Sequence, residues 1–298
     1  MPADETEQRT VLVLGGTGEA RALAAALVET TDARVVSSLA GRVARPRLPV
    51  GETRIGGFGG PEKLAAWLAE EGVGCVVDAT HPFAERISAS AARASIISGV
   101  PILRLQRPGW TARDGDDWHW VDTLEEAAAL LPRFAGRGAS VGSAVGEGGA
   151  EAGASTQVPP VVDDQPGVLE APDAQRAPAR VLLTTGRQGL ASFRATADAW
   201  FLIRCVDPPE PADLPPHHEL LLDRGPYTLE GELALIDHHR IDVVATKDSG
   251  GALTVAKLDA ARKRGLPVVL VRRPAGPPIE TVDEVDAAAT WARALLAV

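Results

Sequence analysis

Residues 11–27 read VLVLGGTGEARALAAAL. Four β-branched or aliphatic residues run into Gly15-Gly16-Thr17-Gly18, and an Ala-rich stretch, Glu19–Glu29, follows with helical spacing. A strand that turns through glycines into a helix exposes free backbone N–H groups and the positive end of the helix dipole, which together favour a phosphate. Glycine is required where the backbone turns sharply or lets a pyrophosphate approach. The match to G-x-G-x-x-G is incomplete: with Gly16 and Gly18 as the first two glycines, Arg21 stands in the third place. Ala20 is the residue left to let helix and strand pack closely. A strand–turn–helix that binds nothing is the plainer alternative.

Outward from this unit the pattern repeats. Apolar runs at 34–38, 53–55, 74–78 and 101–105 alternate with helix-length segments at 61–71 and 83–98. It restarts at 180–184 and continues through 200–206, 219–222, 242–246 and 267–271, with helices expected at 229–239, 251–264 and 282–296. Such alternation predicts βαβ units on parallel sheets. The expected fold is therefore α/β with parallel sheets, in two Rossmann-like doubly wound halves, one at 10–112 and one at 113–298. The segment Ala139–Ala179 is rich in Gly, Ala, Ser, Pro and acids without apolar periodicity, and reads as a flexible insertion between a helix at 124–134 and the next strand.

The 298 residues suffice for two domains, and 45% hydrophobic with 23% charged residues is ordinary for a globular chain. A net charge of −10 excludes a diffuse nucleic-acid footprint. It also means that an acidic ligand needs a local cluster of bases. Cys75 and Cys205 lie alone in apolar runs and form neither a disulfide framework nor a metal site. The start MPADETEQRT lacks the apolar core of a signal peptide, and no apolar run reaches membrane-spanning length, so a cytoplasmic protein is expected. The pairs His217-His218 and His238-His239 are adjacent and lack zinc-ligand spacing, so no metal is expected.

The second strand refines the cofactor. An NAD site usually carries an acidic residue about 20 residues after the glycines. Here the strand ends Ser37-Ser38-Leu39-Ala40-Gly41-Arg42, with no carboxylate. Hydroxyls and Arg42 suit a 2′-phosphate, so NADPH is the expected cofactor; the alternative for Arg42 is a solvated loop arginine. The candidate cofactor contacts are Gly15, Gly16, Thr17, Gly18, Glu19, Ser38, Gly41, Arg42, Thr80, His81 and Pro82.

Eight phrases go beyond the generic fold: GGTGEAR (15–21), SLAGR (38–42), GGFGG (56–60), DATHPFA (78–84), LRLQRPGW (103–110), LLTTGRQGL (182–190), DRGPYTLEGE (223–232) and TKDSGG (246–251). In this order the chain, from Val11 to about Pro274, resembles the precorrin-6A and cobalt-precorrin-6A reductases. The 139–179 insertion departs from that pattern. The resemblance implies reduction by NADPH of a carbon–carbon double bond in a corrin precursor, precorrin-6A, giving precorrin-6B. It also implies two α/β domains with cofactor and substrate in the cleft.

With that substrate, a multiply carboxylated tetrapyrrole, the polar strand ends acquire roles. Ligands of open α/β sheets bind outside the carboxyl ends of the strands. His81 is a candidate catalytic residue that orients the nicotinamide or donates a proton, against the alternative of a helix-entry histidine held by the backbone. Lys247, a second catalytic candidate, forms with Asp248, Ser249 and Gly250 an anion site at a helix start, though Asp248 and Ser249 are also good helix caps. Thr184, Gly186 and Arg187 make a third polar tip, and Arg104 and Arg107 flank Gln106 in the connector. Trp110 either stacks on the macrocycle or packs between domains. A short-chain dehydrogenase would need a Tyr with Lys four residues on, but the only tyrosine, Tyr227, has Gly231 there. A non-catalytic NADP-binding sensor is the other alternative. The protein acts as a monomer or homodimer, with neither nucleic acid nor membrane as partner.

Overall fold

The computed structural model describes residues 9–41, 47–137 and 177–297. Arg42 and all but the last three residues of the 139–179 insertion lie outside the described residues.

The first sheet contains β1 (Thr10–Leu14), β2 (Arg34–Leu39), β3 (Glu52–Ile55), β4 (Val73–Asp78) and β5 (Ile102–Leu105), all parallel, in the order β3-β2-β1-β4-β5. Helix α1 (Gly18–Thr30) buries Ala20, Leu23, Ala24 and Leu27, the i, i+3, i+4, i+7 stripe of an amphipathic helix, against Val11 and Val13. Helices α2 (Pro61–Glu70) and α3 (Glu85–Ser98) cover the opposite face, on Leu12, Leu14, Val36 and Val76. Strands covered on both faces must be apolar throughout, and every residue of β1 is buried.

The chain then leaves this sheet. Strand β6 (Asp117–Val121) lies at the edge of the second sheet, followed by α4 (Leu124–Leu130) and a 3₁₀ turn at Leu131–Phe134. Next come β7 (Ala179–Leu183), β8 (Ala199–Cys205), β9 (His218–Leu222), α5 (Leu229–His239), β10 (Val243–Lys247), α6 (Ala256–Lys263) and β11 (Pro267–Val271). This sheet runs β9-β8-β7-β10-β11-β6, again all parallel. Finally β12 (Thr281–Val282) returns to pair with β5, and α7 (Val285–Leu296) packs with α1. Each sheet therefore has the dinucleotide-fold order, 3-2-1-4-5-6, and each takes its sixth strand from beyond a connector to the other.

Three differences from the sequence reading follow from this topology. The segment 281–297, expected in the second domain, belongs to the first sheet. Its Ala288, Ala289 and Ala292 fill the face beside α1 that β5 and β4 leave open. Strand β6, at the start of the second half, is not among the strands expected from the sequence, because DWHWV carries two polar residues, Asp117 and His119, and pairs on one side only. Helix α3 starts at Glu85, two residues later than expected, since Ala84 N–H closes a turn on the His81 carbonyl (2.7 Å). Likewise α6 starts at Ala256 after a 3₁₀ turn at Ala252–Thr254. Both delays lengthen the loops at strand ends, where ligands bind.

Candidate functional site

The glycine turn is built as a dinucleotide turn requires. Gly15 N–H donates to the Ser38 carbonyl (2.9 Å), which ties the tips of β1 and β2 together. Gly16 holds φ +120°, a backbone state closed to most side chains, and a Cβ there would meet nothing within 4 Å. Thr17 caps α1: its hydroxyl accepts from Ala20 N–H (3.0 Å) and donates to the Ala79 carbonyl (2.8 Å), locking β1's turn to β4's. The first-turn amides of Gly18 and Glu19 have no helical acceptor. Ala20, 3% exposed, takes the close-packing task of the absent third glycine; its Cβ would lie 3.6 Å from a Cβ on Gly15. These residues fit a pyrophosphate. At the neighbouring tip, Ser38 is buried and Gly41 is exposed with φ +68°.

At the end of β4, Asp78 is 1% exposed. Its Oδ1 accepts from Thr80 N–H (3.1 Å) and the Thr80 hydroxyl (2.7 Å), while Oδ2 has no partner among the described residues. Thr80 thus has a fixed hydroxyl whose lone pairs face Ser88 (3.3 Å) and the crevice beyond. That crevice is lined by Thr17, Glu19, Thr80, Pro82, Gln106 and Arg107. His81 is half-buried, and its Nδ1 accepts from Phe83 N–H (3.3 Å), leaving Nε2 as the protonated nitrogen. Burial, then the positive charges of Arg107, Lys247, Arg273 and Lys257, push its pKa down to about 4. His81 is a neutral hydrogen-bond donor at physiological pH, not an imidazolium acid.

The second sheet faces the first across this loop. Phe83 packs into the second half's core cluster, and the Lys247 ammonium lies 5.4 Å from its ring centre. Lys247 ends β10, donates to the Gln188 carbonyl (3.3 Å), and has its pKa lowered by burial. Thr184 donates to the Ala245 carbonyl (3.3 Å). Thr185, buried, has a hydroxyl with no partner among the described residues. Gly186 (φ +77°) and half-buried Arg187 continue the tip.

The connectors are heavily tied to the site. Arg107 pairs with Glu19 (2.6 Å) and donates from Nε to the Ser249 carbonyl (2.6 Å). Asp248, 6% exposed, accepts from Trp110 N–H (3.0 Å) and pairs with Arg273 (3.2 Å). Gly250 (φ +64°) sits so close to the Pro108 carbonyl that a Cβ would lie 1.9 Å from it. Arg104 is 6% exposed, with its guanidinium against Gly276, where a Cβ would meet Nη1 at 1.8 Å. Arg104 and Arg107 are thus engaged by the protein itself. Trp110 packs against the α5–α6 cluster with Lys257 over its ring (4.9 Å). The structure therefore brings Gly15–Glu19, Thr80–Pro82, Arg107 and Lys247–Gly250 around one cleft.

Sequence reasoning missed Arg273 and a buried network behind the cleft. In that network Arg204 pairs with Glu232 (2.6 Å) and stacks on Tyr227 (3.8 Å). Lys257, 3% exposed, donates to the Thr254 carbonyl (2.8 Å), and burial pushes its pKa down to about 7. One signal was available: Arg272-Arg273 is a basic pair at the carboxyl end of an apolar strand, in an acidic chain. Among the described residues, no cluster of three His, Cys, Asp or Glu has metal-holding geometry, and no helix is long and apolar enough to cross a membrane.

Two parallel sheets of dinucleotide-fold order, with a phosphate-type turn on one and a basic strand tip on the other, define an α/β protein of two Rossmann-like halves. Comparison with known proteins narrows the class. The model of the family described as precorrin-6x reductase CbiJ/CobK matches residues 10–293. A precorrin-6A reductase of Rhodococcus erythropolis is 46% identical over 282 residues, covering 94% of this chain and 96% of that one. One of Mycobacterium tuberculosis is 43% identical over 288 residues, covering 96% and 98%. A solved structure of CobK precorrin-6A reductase matches with a TM-score of 0.77 at 37% identity, over 97% of each chain. The chain belongs to the precorrin-6x reductase family, oxidoreductases of cobalamin biosynthesis.

Proposed function

We propose that the protein uses NADPH to reduce a carbon–carbon double bond in the macrocycle of precorrin-6A, giving precorrin-6B, in the cytoplasm. The observation that carries this reading is the meeting of two unlike platforms across the His81–Phe83 loop. One side offers backbone amides and a helix N-terminus; the other offers Lys247, within 5.4 Å of the Phe83 ring centre.

NADPH, when bound, supplies the hydride. The chain's own task is to place and shield it. The amides of Gly16–Glu19 receive the pyrophosphate, and Ser38 and Gly41, which Arg42 follows in the sequence, form the ribose end without a carboxylate to repel a 2′-phosphate. Thr80, held by Asp78, and neutral His81, through Nε2–H, orient the carboxamide of the nicotinamide. Lys247 spends one of its three N–H bonds on Gln188, which leaves two for a substrate carboxylate. Arg187, Thr184, Gly186, Ser249 and Gly250 complete that grip. A local positive field inside a −10 protein answers the need of a polyanionic substrate.

Purified protein mixed with NADPH and precorrin-6A is expected to lose nicotinamide absorbance stoichiometrically, with a product two hydrogens heavier and much slower turnover with NADH. No oxidation of NADPH by protein of native circular dichroism would sink the assignment. Equal rates with NADH would remove the 2′-phosphate reading alone.

A further inference from the structure

Arg273 lies outside every motif that carries the resemblance to the reductases, yet all three of its guanidinium nitrogens are engaged. Nε donates to the Asp248 carbonyl (3.0 Å), Nη1 to the Arg107 carbonyl (2.7 Å) and Nη2 to the Pro108 carbonyl (2.9 Å). Its charge is met by the Asp248 carboxylate (3.2 Å), and its side chain is 15% exposed. Three of its five N–H donors are thus spent on backbone carbonyls and its charge on Asp248, so Arg273 ties the protein together beside the shallow cavity of about 350 Å³ that it lines with Trp120, Asp248 and Arg272.

Arg273 and its partners come from three parts of the chain. Arg273 itself lies in the second connector, 272–280. Arg107 and Pro108 belong to the first connector, 106–116. Asp248 belongs to the strand tip after β10. Arg107 then reaches on to Glu19 in the first turn of α1 (2.6 Å) and to Ser249 (2.6 Å). A continuous chain of contacts thus runs from the phosphate turn, through both connectors, to the tip that carries Lys247.

We infer that Arg273 is a positioning residue: it clasps the two connectors to the Asp248–Ser249 tip and, through Arg107 and Glu19, sets the distance between the cofactor turn and the substrate tip. The inference rests on the two-platform reading of the cleft. Hydride transfer needs reacting atoms at near-contact distance, and a misplacement of about 1 Å costs on the order of 100-fold in rate. Two domains joined by two connectors reach that precision only if the connectors are fixed to each other.

The test is Arg273→Gln, with Arg273→Lys and Glu19→Gln beside it. For Arg273→Gln we expect unchanged circular dichroism, an NADPH Kd within about threefold of the parent, kcat lowered about 100-fold, and a larger radius of gyration by X-ray scattering. The lysine variant, which keeps the charge but replaces three donor nitrogens by one, should recover part of kcat. Glu19→Gln keeps the backbone amide that receives the pyrophosphate and weakens only the partly exposed ion pair with Arg107; it should lower kcat a few-fold and change NADPH affinity by no more than a few-fold. Unchanged kcat and unchanged radius of gyration in folded Arg273→Gln would overturn the inference. So would a tenfold loss of NADPH affinity in Glu19→Gln, which would make the Glu19 carboxylate, and not its amide alone, part of the cofactor grip rather than a link to Arg107. If the parent itself fails to oxidise NADPH, the proposed reaction falls, while the scattering comparison still decides whether Arg273 fixes the domains.

Discussion

The two sheets share one strand order but end their first strands differently. After β1 the chain makes a glycine turn and starts the thirteen-residue α1 at once. After β7 it runs through Thr184–Gly189 into a single 3₁₀ turn at Leu190–Phe193. The first half therefore offers a phosphate the aligned amides of a helix start. The second half, lacking a helix there, offers side chains: hydroxyls and the cations of Arg187 and Lys247. One architecture thus yields a platform for a ligand recognised by its backbone phosphates and another for a ligand recognised by scattered carboxylates.

The halves also differ in what they bury. Arg34 of the first half pairs with Glu52 (2.7 Å) and Glu71 (2.5 Å) at the surface, with side chains about one-third to one-half exposed. The second half buries Arg204 (5% exposed) and Glu232 (1%) completely. Removing one member of a buried pair leaves a charge without a partner or water and costs about 3–5 kcal/mol, whereas an exposed pair contributes roughly 1 kcal/mol or less. Glu232→Ala, which strands both Arg204 and Lys257, is expected to cost the larger figure in urea unfolding and Arg34→Met the smaller. Similar losses for the two would erase the distinction.

A matched pair of glycine substitutions separates the platforms functionally. Gly16 (φ +120°) and Gly186 (φ +77°) both lack neighbours within 4 Å of a built Cβ, so a side chain at either strains only the local backbone. Where pyrophosphate must approach the backbone the effect is larger. Gly16→Val should weaken NADPH about 100-fold, or roughly 2.7 kcal/mol, as read by nicotinamide fluorescence. Gly186→Val should leave NADPH affinity alone and raise KM for the tetrapyrrole. Weakened NADPH in both variants would place the cofactor across both tips.

Much of this architecture was legible in the chain. The alternation of apolar runs and helices located ten of the twelve strands among the described residues within a residue or two, because strands buried on both faces must be continuously apolar. Strands β6 and β12 escaped: DWHWV and Thr281–Val282 are edge strands, exposed on one side, and carry weak patterns. Their exchange between the sheets is a long-range pairing that no local period encodes. The glycine turn and the tips at Thr80 and Lys247 were visible as motifs. Arg104 and Arg107 looked like ligand contacts because basic residues in an acidic chain draw attention. That Arg104 lies buried against Gly276 and that Arg107 is spent on Glu19 and Ser249 depends on contacts up to 172 residues away along the chain.

The smallest effect we expect distinguishes two histidines, one in each half. Burial and four surrounding cations hold His81 at about 4, below the ordinary 6.5. Between those values the unfolded chain binds a proton that the native state refuses, so stability falls as pH drops from 6.5 and levels off below about 4. The ring is partly exposed, so the loss amounts to roughly 1–2 kcal/mol after allowance for solvent. His239, in the second half, is also lowered by burial, but Glu219 at 3.8 Å pulls the other way. His81→Asn should therefore flatten the acid limb of a stability profile measured by urea unfolding at successive pH values, and His239→Asn should change it less. An acid limb untouched by His81→Asn would mean that the imidazole titrates at its ordinary value in the folded protein, so that neither burial nor the cations of the cleft weigh on it.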